Sequence, residues 1–484
     1  MLFLIHVSAV SFMFRYGGAD TDEGYAGMNT SDGGFLAGGI WGSYGANGDF
    51  GIVKYDRLGV LVFGKSLGTS AEDRAYGLVE TSSGYVLAGR TLSSSGNGGY
   101  DGLVVMLNVS GNFQWAKFVG TNLNDYPYWV VEDNDGNILA AGYSVSFGNG
   151  IWLFKMDNSG NLLWSRSYEY GDASIAREVR VDANGKYILA GRVGSGSNYD
   201  GLVLRVDNSG TPLWSLRMDL GGEERIFSVS QTPSGEICAA GYTNVDGDYD
   251  ILVLRMDTLG NVLWVRKVGG SSDDQAFGVA ASSDDGCVVV GYTFSYSHDF
   301  LGFEDAIIFK LDASGNLVWA RIFWGENFGD VGNSVHRASD DGFLVVGNSY
   351  KLVGFSTVSD WFIVKFLADG TVCSDQYASI SPTITTPSYT TDNTLPTFND
   401  RTSSTGLIDV SLTVQTLPQD TVIFCTPLGQ NDELDVEERG TCASSGRILE
   451  VFTTDGRRYR SIDEAPRGVL LLRTERGWRM YLKR

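Results

Sequence analysis

The chain has 484 residues, with 36 Lys and Arg against 58 Asp and Glu, a net charge of −22 at pH 7. That excess of acid argues against nucleic acid or an anionic membrane surface as partner, because both require a cationic face. Gly is abundant at 63 residues and Pro scarce at 9, a balance that suits many short strands joined by tight turns. The chain opens on Met1-Leu2-Phe3-Leu4-Ile5-His6-Val7-Ser8-Ala9, a short apolar run ending in small residues. It is read as a truncated signal peptide over residues 1–9. No stretch has the length of a transmembrane helix.

From residue 10 onwards a cassette of about fifty residues recurs seven times, a period that belongs to solenoids and propellers. Its fixed points are Gly38, Gly89, Gly142, Gly191, Gly241, Gly291 and Gly347. The fifth copy shows the grammar. Glu224-Arg225-Ile226-Phe227-Ser228-Val229 alternates into a first strand, and Pro233-Ser234-Gly235 turns into a second from Ile237 to Tyr242. After a variable loop, Asp250 to Asp257 forms a third strand. Leu259-Gly260-Asn261 then turns into a fourth, Val262 to Arg266. Four short strands with no amphipathic helix read as one propeller blade, so the fold class is an all-β seven-bladed β-propeller.

Large aromatics recur on the fourth strand, Phe63, Trp115, Trp164, Trp214, Trp264 and Trp319, where they can fill the wedge between blades. The seventh copy lacks this strand, ending in Thr371-Val372-Cys373. Its register reappears at the other end of the chain in Phe12-Met13-Phe14-Arg15-Tyr16, so residues 10–16 are predicted to complete the seventh blade and close the ring. The propeller therefore spans residues 10–373. Residues 374–426, rich in Ser, Thr and Pro, read as a linker, and residues 427–484 as a small basic β-rich module. The charge breaks near there too: residues 446–484 carry a net +5.

Short, uniform turns share one face of the ring, and the variable second-to-third loops share the other. Variable loops on a rigid scaffold usually carry binding. The ligand-binding candidates are Trp41 and Tyr44 of the first copy, Phe294, Tyr296, His298 and Phe300 of the sixth, and Tyr350 and Phe355 of the seventh. A carbohydrate or protein ligand would suit that face.

Acidic residues recur before the third strand (Asp49, Asp101, Asp200, Asp250, Asp305, Asp360) and at entry to the first (Asp22, Asp73, Asp125, Glu224, Asp274, Asp330). Recurrence in nearly every blade favours side chains that cap turns over a cation site. Asp246, Asp248 and Asp250 form the one denser cluster, the candidate site for Ca2+, though Ile251 stands where a calcium loop needs Gly. No other cofactor is evident. Three histidines and no adjacent or Cys-x-x-Cys cysteines give no positive case for catalysis. Cys238 and Cys287, inside repeat strands, are expected as buried free thiols; two of Cys373, Cys425 and Cys442 could pair.

The pattern Asp-x-x-Gly-Asn-x-x-Trp, seen at Asn161 to Trp164, with Val288 to Thr293 for the strand that follows, resembles the delta-60-like propeller repeats of secreted and cell-surface prokaryotic proteins. It is also similar to the tryptophan-docking repeats of quinoprotein dehydrogenases, from which this chain departs in blade number and in lacking adjacent cysteines. At the C-terminus, Thr454-Asp455-Gly456-Arg457-Arg458, Gly468-Val469-Leu470 and Tyr481-Leu482-Lys483-Arg484 resemble the sorting domain of type IX secretion cargo. Leu470 stands where that domain usually has Tyr. The resemblances imply an exported, surface-attached or released binding protein whose tail engages secretion machinery. The alternatives are a propeller enzyme acting on polysaccharide and a structural component of a cell envelope or filament.

Overall fold

The computed structural model describes residues 11–417, save 44–46, 97, 197, 299–301, 326–327 and 354–355, together with 421–425, 448–453, 458–459, 468–474 and 477–483. Seven antiparallel sheets form the blades of a β-propeller. In the fifth blade the four strands are Glu224–Gln231, Ile237–Thr243, Asp250–Met256 and Val262–Gly269. The turn between the first two uses Gly235 at φ 95°, a conformation that only Gly adopts without strain.

Ring closure follows the expected register. Phe12–Tyr16 pairs with Ser356–Phe366, Phe14 opposite Ile363, as the fourth strand of the seventh blade. Phe12, Phe14 and Tyr16 are fully buried in one cluster with Trp41 and Trp361, which packs the seventh blade against the first. Each such side chain contributes on the order of 1.5–3 kcal/mol by leaving water.

The periodic aromatics do fill the wedge. Trp214 donates its indole N–H to Thr258 O in the next blade at 3.0 Å, and Trp264 donates to Ala313 O at 2.9 Å. The turn glycine beneath each ring is required. A Cβ on Gly260, whose φ is 86°, would stand 2.9 Å from the Trp214 ring. The Asp that opens that turn is a cap: Asp257 Oδ1 accepts from the backbone N–H groups of Leu259 and Asn261 at 2.8 and 2.9 Å.

The segment expected to be a linker is instead a belt. Tyr377–Ser379 pairs with the fourth strand of blade six, Thr383–Thr385 with that of blade five, and Thr390–Asp392 with that of blade four. Thr397–Asp400, Gly406–Asp409 and Thr413–Thr416 continue onto blades three, two and one, and Thr421–Cys425 joins blade seven beside Phe12–Tyr16. Each blade thus gains a fifth strand, in the reverse of chain order. The composition allows it. Thr pairs well along an edge, while Pro382, Pro387 and Pro396 fall between the short strands, where a missing N–H interrupts pairing. The belt covers every outer edge that the four-stranded blades would leave open. Leu417 is buried against blade one, and Phe398 packs on Tyr168.

Cys238 and Cys287 form a disulfide, with Cα atoms 6.0 Å apart, rather than the two free thiols expected. They lie in the second strands of blades five and six, near-equivalent positions that the repeat period brings side by side. Cys373 is also disulfide-bonded. Residues 425–484 form a separate compact unit. Its sheet orders Arg458–Tyr459, Ile448–Thr453, Gly468–Thr474 and Gly477–Lys483. Asp455, Gly456 and Arg457 of the sorting-domain resemblance lie outside the described residues. Among the described residues no helix is long and apolar enough to cross a membrane.

Candidate functional site: an aromatic and arginine-rich pit on the propeller axis

The fixed glycines build the site. Every first strand carries a β-bulge at its fourth residue: Tyr25, Tyr76, Tyr128, Arg177, Phe227, Phe277 and Asn333. A bulge kinks the strand and re-aims a side chain. Here it presses the carbonyl of the strand's second residue onto the facing glycine of the second strand. A Cβ on Gly89 or Gly191 would lie 1.9 Å from that oxygen, and on Gly142 or Gly241 only 1.7 Å. In blade one the glycine in this place is Gly39, facing Glu23 O, rather than the expected Gly38.

The bulge residues meet around the axis, where the first strands of neighbouring blades face one another. Tyr25 and Tyr76 have ring centroids 5.4 Å apart, and Tyr76 and Tyr128 5.2 Å. Arg177 lies 4.4 Å over the Tyr128 ring and 5.5 Å over Phe227, which meets Phe277 edge-on at 5.2 Å. Asn333 ends the circle, donating to Gly24 O at 2.7 Å. Six of the seven blades therefore contribute an aromatic ring or a stacked guanidinium to one girdle. All of these side chains are only part-buried.

Deeper along the axis the channel is crossed. Arg180 of blade four reaches His336 of blade seven at 3.2 Å, pairs with Glu178 at 2.6 Å and lies 5.1 Å over Trp129. Burial, then the charge of Arg180, hold His336 well below its usual value, so the neutral ring accepts from the guanidinium. The girdle is therefore the wall of a pit.

A second tier surrounds the mouth, built from the residue after each fixed glycine and from the variable loops. Tyr126 stacks on Tyr143 at 4.8 Å. Tyr242 meets Tyr249 at 5.1 Å, and Tyr292 joins Phe277 to Phe294 at 5.8 and 5.7 Å. Burial pushes the Tyr76 and Tyr242 hydroxyls up to about 12, so they stay neutral hydrogen-bonding groups. Arg74 and Arg90 pair with Glu72 at 2.7 and 3.1 Å, and Arg225 pairs with Glu223.

The residues singled out from sequence scatter. Phe294 is 37 % exposed at the edge of the second tier, and Tyr350 lies near Glu23 and Glu304 with its hydroxyl pushed up to about 12 by burial. Trp41 is the correction: at 1 % exposure it packs between blades seven and one and offers nothing to a ligand. Tyr296 fastens its loop, donating to Gly269 O and accepting from Thr383 N of the belt. His298 stacks on Trp324 at 4.0 Å and bonds Asp305 at 2.9 Å. Tyr44, Phe300 and Phe355 lie outside the described residues.

Lys267 bridges Asp246 and Asp250, so a side-chain cation already occupies the position offered to Ca2+, with Asp248 beside them. A different acidic group, Asp200, Asp219 and Glu224, is close enough to share a cation, although Arg217 already pairs with Asp200. The entry-ring carboxylates act as caps. Asp73 accepts from Thr69 N, Asp125 from Thr121 N and Asp274 from Gly270 N, at 2.6, 2.6 and 2.9 Å. A cavity of about 280 Å³ lies at the rim, lined by Glu169, Tyr170, Arg217, Asp392 and Leu395. Its charges are engaged, Arg217 by Asp200, Glu169 by Arg401 and Asp392 by the Thr394 hydroxyl.

Sequence reasoning missed the girdle because it looked to loop length. The signal was present: the fourth residue of each first strand reads Tyr, Tyr, Tyr, Arg, Phe, Phe, Asn.

No protein-family model matches the chain, and no curated protein matches it in sequence. Among solved structures it is similar to Sqt1 from Chaetomium thermophilum, at 14 % identity and TM-score 0.43 over 74 % of this chain and 98 % of that one. It is similar to NanB sialidase from Streptococcus pneumoniae at 10 % identity and TM-score 0.42, covering 74 % and 71 % of the two chains. A gluconolactonase from Xanthomonas campestris matches at 10 % identity and TM-score 0.32, over 72 % and 97 %. Likeness at that level carries no functional argument. Fold and site define the class: a seven-bladed β-propeller, belted on its rim, with an aromatic and arginine-rich pit on its axis.

Proposed function

We propose that the protein is an exported, surface-attached or released binding protein whose carbohydrate ligand enters the axial pit from the variable-loop face. The observation that carries this reading is the girdle itself. Seven bulges at the same position turn side chains from Tyr25 to Asn333 onto one axis, six of them aromatic or guanidinium. Flat aromatic faces beside hydroxyls and arginines suit the alternating apolar and polar faces of a sugar. The Cys238–Cys287 disulfide supports export, since such bonds persist in oxidising compartments. The basic C-terminal unit is read as the address for that export.

Full-length protein applied to an array of neutral and acidic polysaccharides tests the reading. Wild type and Tyr389→Ala, a belt residue 38 % exposed on the rim, should be retained by the same glycan, and a Tyr76→Ala/Tyr128→Ala variant of unchanged melting temperature should lose at least tenfold. Retention that survives loss of both tyrosines, or none on any glycan, contradicts it.

A further inference from the structure

The pit is not symmetric in charge. On the blade one and two side its arginines are matched, Arg74 and Arg90 by Glu72. On the blade four and five side they are not. Arg177 and Arg225 both lie close enough to Arg192 to oppose its charge, and among the described residues only Arg225 of the three has a carboxylate partner, Glu223. Glu178 is taken by Arg180.

Arg192 is the centre of this sector. Its guanidinium lies 3.8 Å over the Tyr199 ring, which also faces Arg225 at 5.2 Å. Its Nε and Nη1 are buried with no hydrogen-bond partner. Stacking on an aromatic face holds a guanidinium flat while leaving its N–H edge free, and that edge matches two parallel acceptor oxygens. Unpaired buried donors cost free energy unless a ligand satisfies them. Two uncompensated guanidiniums in a chain of net charge −22 are a local anion trap.

We propose that Arg177, Arg192 and Arg225 form an anion subsite in the axial pit that takes the planar carboxylate of an acidic sugar residue. The proposal rests on the carbohydrate-binding reading and adds the ligand's class. The pyranose lies against the girdle, and the carboxylate enters between the guanidiniums on the blade four and five side.

The test compares polygalacturonate, its methyl ester and dextran sulfate on the full-length protein. Binding of polygalacturonate should exceed that of the ester by about tenfold or more and weaken with salt. Arg192→Ala and Arg177→Gln should each reduce it toward the level of the ester, with Arg192→Lys retaining part. Stronger binding of dextran sulfate than polygalacturonate overturns the carboxylate assignment. Equal binding of acid and ester overturns the subsite. That comparison uses wild type alone, so it decides the matter even if an arginine variant fails to fold. Girdle-dependent binding of neutral glycans with no preference for acid would sink this inference while leaving the carbohydrate reading intact.

Discussion

Gly241 and the carbonyl of Arg225 are in contact so close that a Cβ on Gly241 would lie 1.7 Å from the oxygen. The contact exists because Phe227 is bulged out of the first strand, which draws the backbone behind it onto the second. One relationship thus links the most conspicuous repeat in the sequence to the side chain that faces the axis. Gly241→Ala should force the bulge to open, and a clash with backbone leaves little room to relax. A loss of about 3 kcal/mol or more is expected by denaturant unfolding. Gly171→Ala makes the control, since its φ of 85° costs an Ala only about 1 kcal/mol and nothing lies within 4 Å. Equal effects at the two sites would contradict the bulge account.

The belt predicts that the propeller is incomplete without the sequence beyond residue 373. Leu417→Ala should cost about 2–5 kcal/mol, as for other buried leucines, because Leu417 is 4 % exposed in the core of the closing blades. A chain ended at residue 373 should melt well below full length. An unchanged melting temperature would mean that the belt strands add nothing.

The blade five to blade six disulfide closes a span of 49 residues. Chain entropy for a loop of that length corresponds to about 4 kcal/mol. A Cys238→Ala/Cys287→Ala variant should therefore lose on the order of 2–4 kcal/mol under non-reducing conditions. Thiol titration of the unfolded, unreduced protein checks the bond directly: two free thiols more than the variant would disprove it.

Acid should stabilise the fold over a defined window. Burial pushes the Asp73 carboxyl up to about 6 from an ordinary value of 3.8, and Asp22, Asp125 and Asp274 are raised by burial as well. The folded state then holds protons that the unfolded chain releases, so stability falls as pH rises from about 4 to about 6. Above that window Asp73 contributes no further slope. The turn carboxylates act in the opposite sense at lower pH. Against the effect of burial, hydrogen bonds from Asn161 and Asn261 hold Asp157 and Asp257 below 3.8, so their support is lost below that value. Asp73→Asn, which still offers an acceptor to Thr69 N, should flatten the slope between pH 4 and 6. An unaltered slope would place the proton elsewhere.

The architecture was legible because the blade is a local unit. Strand alternation, turn glycines and the Trp that docks on the next turn all repeat at the same spacing, and Phe12 to Tyr16 carry the missing strand's register openly. The belt was not legible, because strands of three to five residues separated by Pro have the composition of a linker. What makes them strands is the waiting edge of each blade, a tertiary template. The disulfide was missed for a related reason: two cysteines 49 residues apart become neighbours only once blades are stacked. The pit was half legible. Loop aromatics drew attention to the face on which the proposed pit opens, and Phe294 stands in its second tier, but the girdle comes from bulges inside regular strands. Period-two alternation gives no hint of which strand residue a bulge will expose.

Hydroxyl-radical footprinting with and without the glycan retained on the array tests the central claim most directly. Protection concentrated on Tyr25, Tyr76, Tyr128 and Tyr143, with Tyr296 and Tyr389 of the outer loops and belt unchanged, is the predicted result. Protection of the outer tyrosines with the axial ones equally labelled in both samples would contradict it, and would move the binding surface from the axis to the rim.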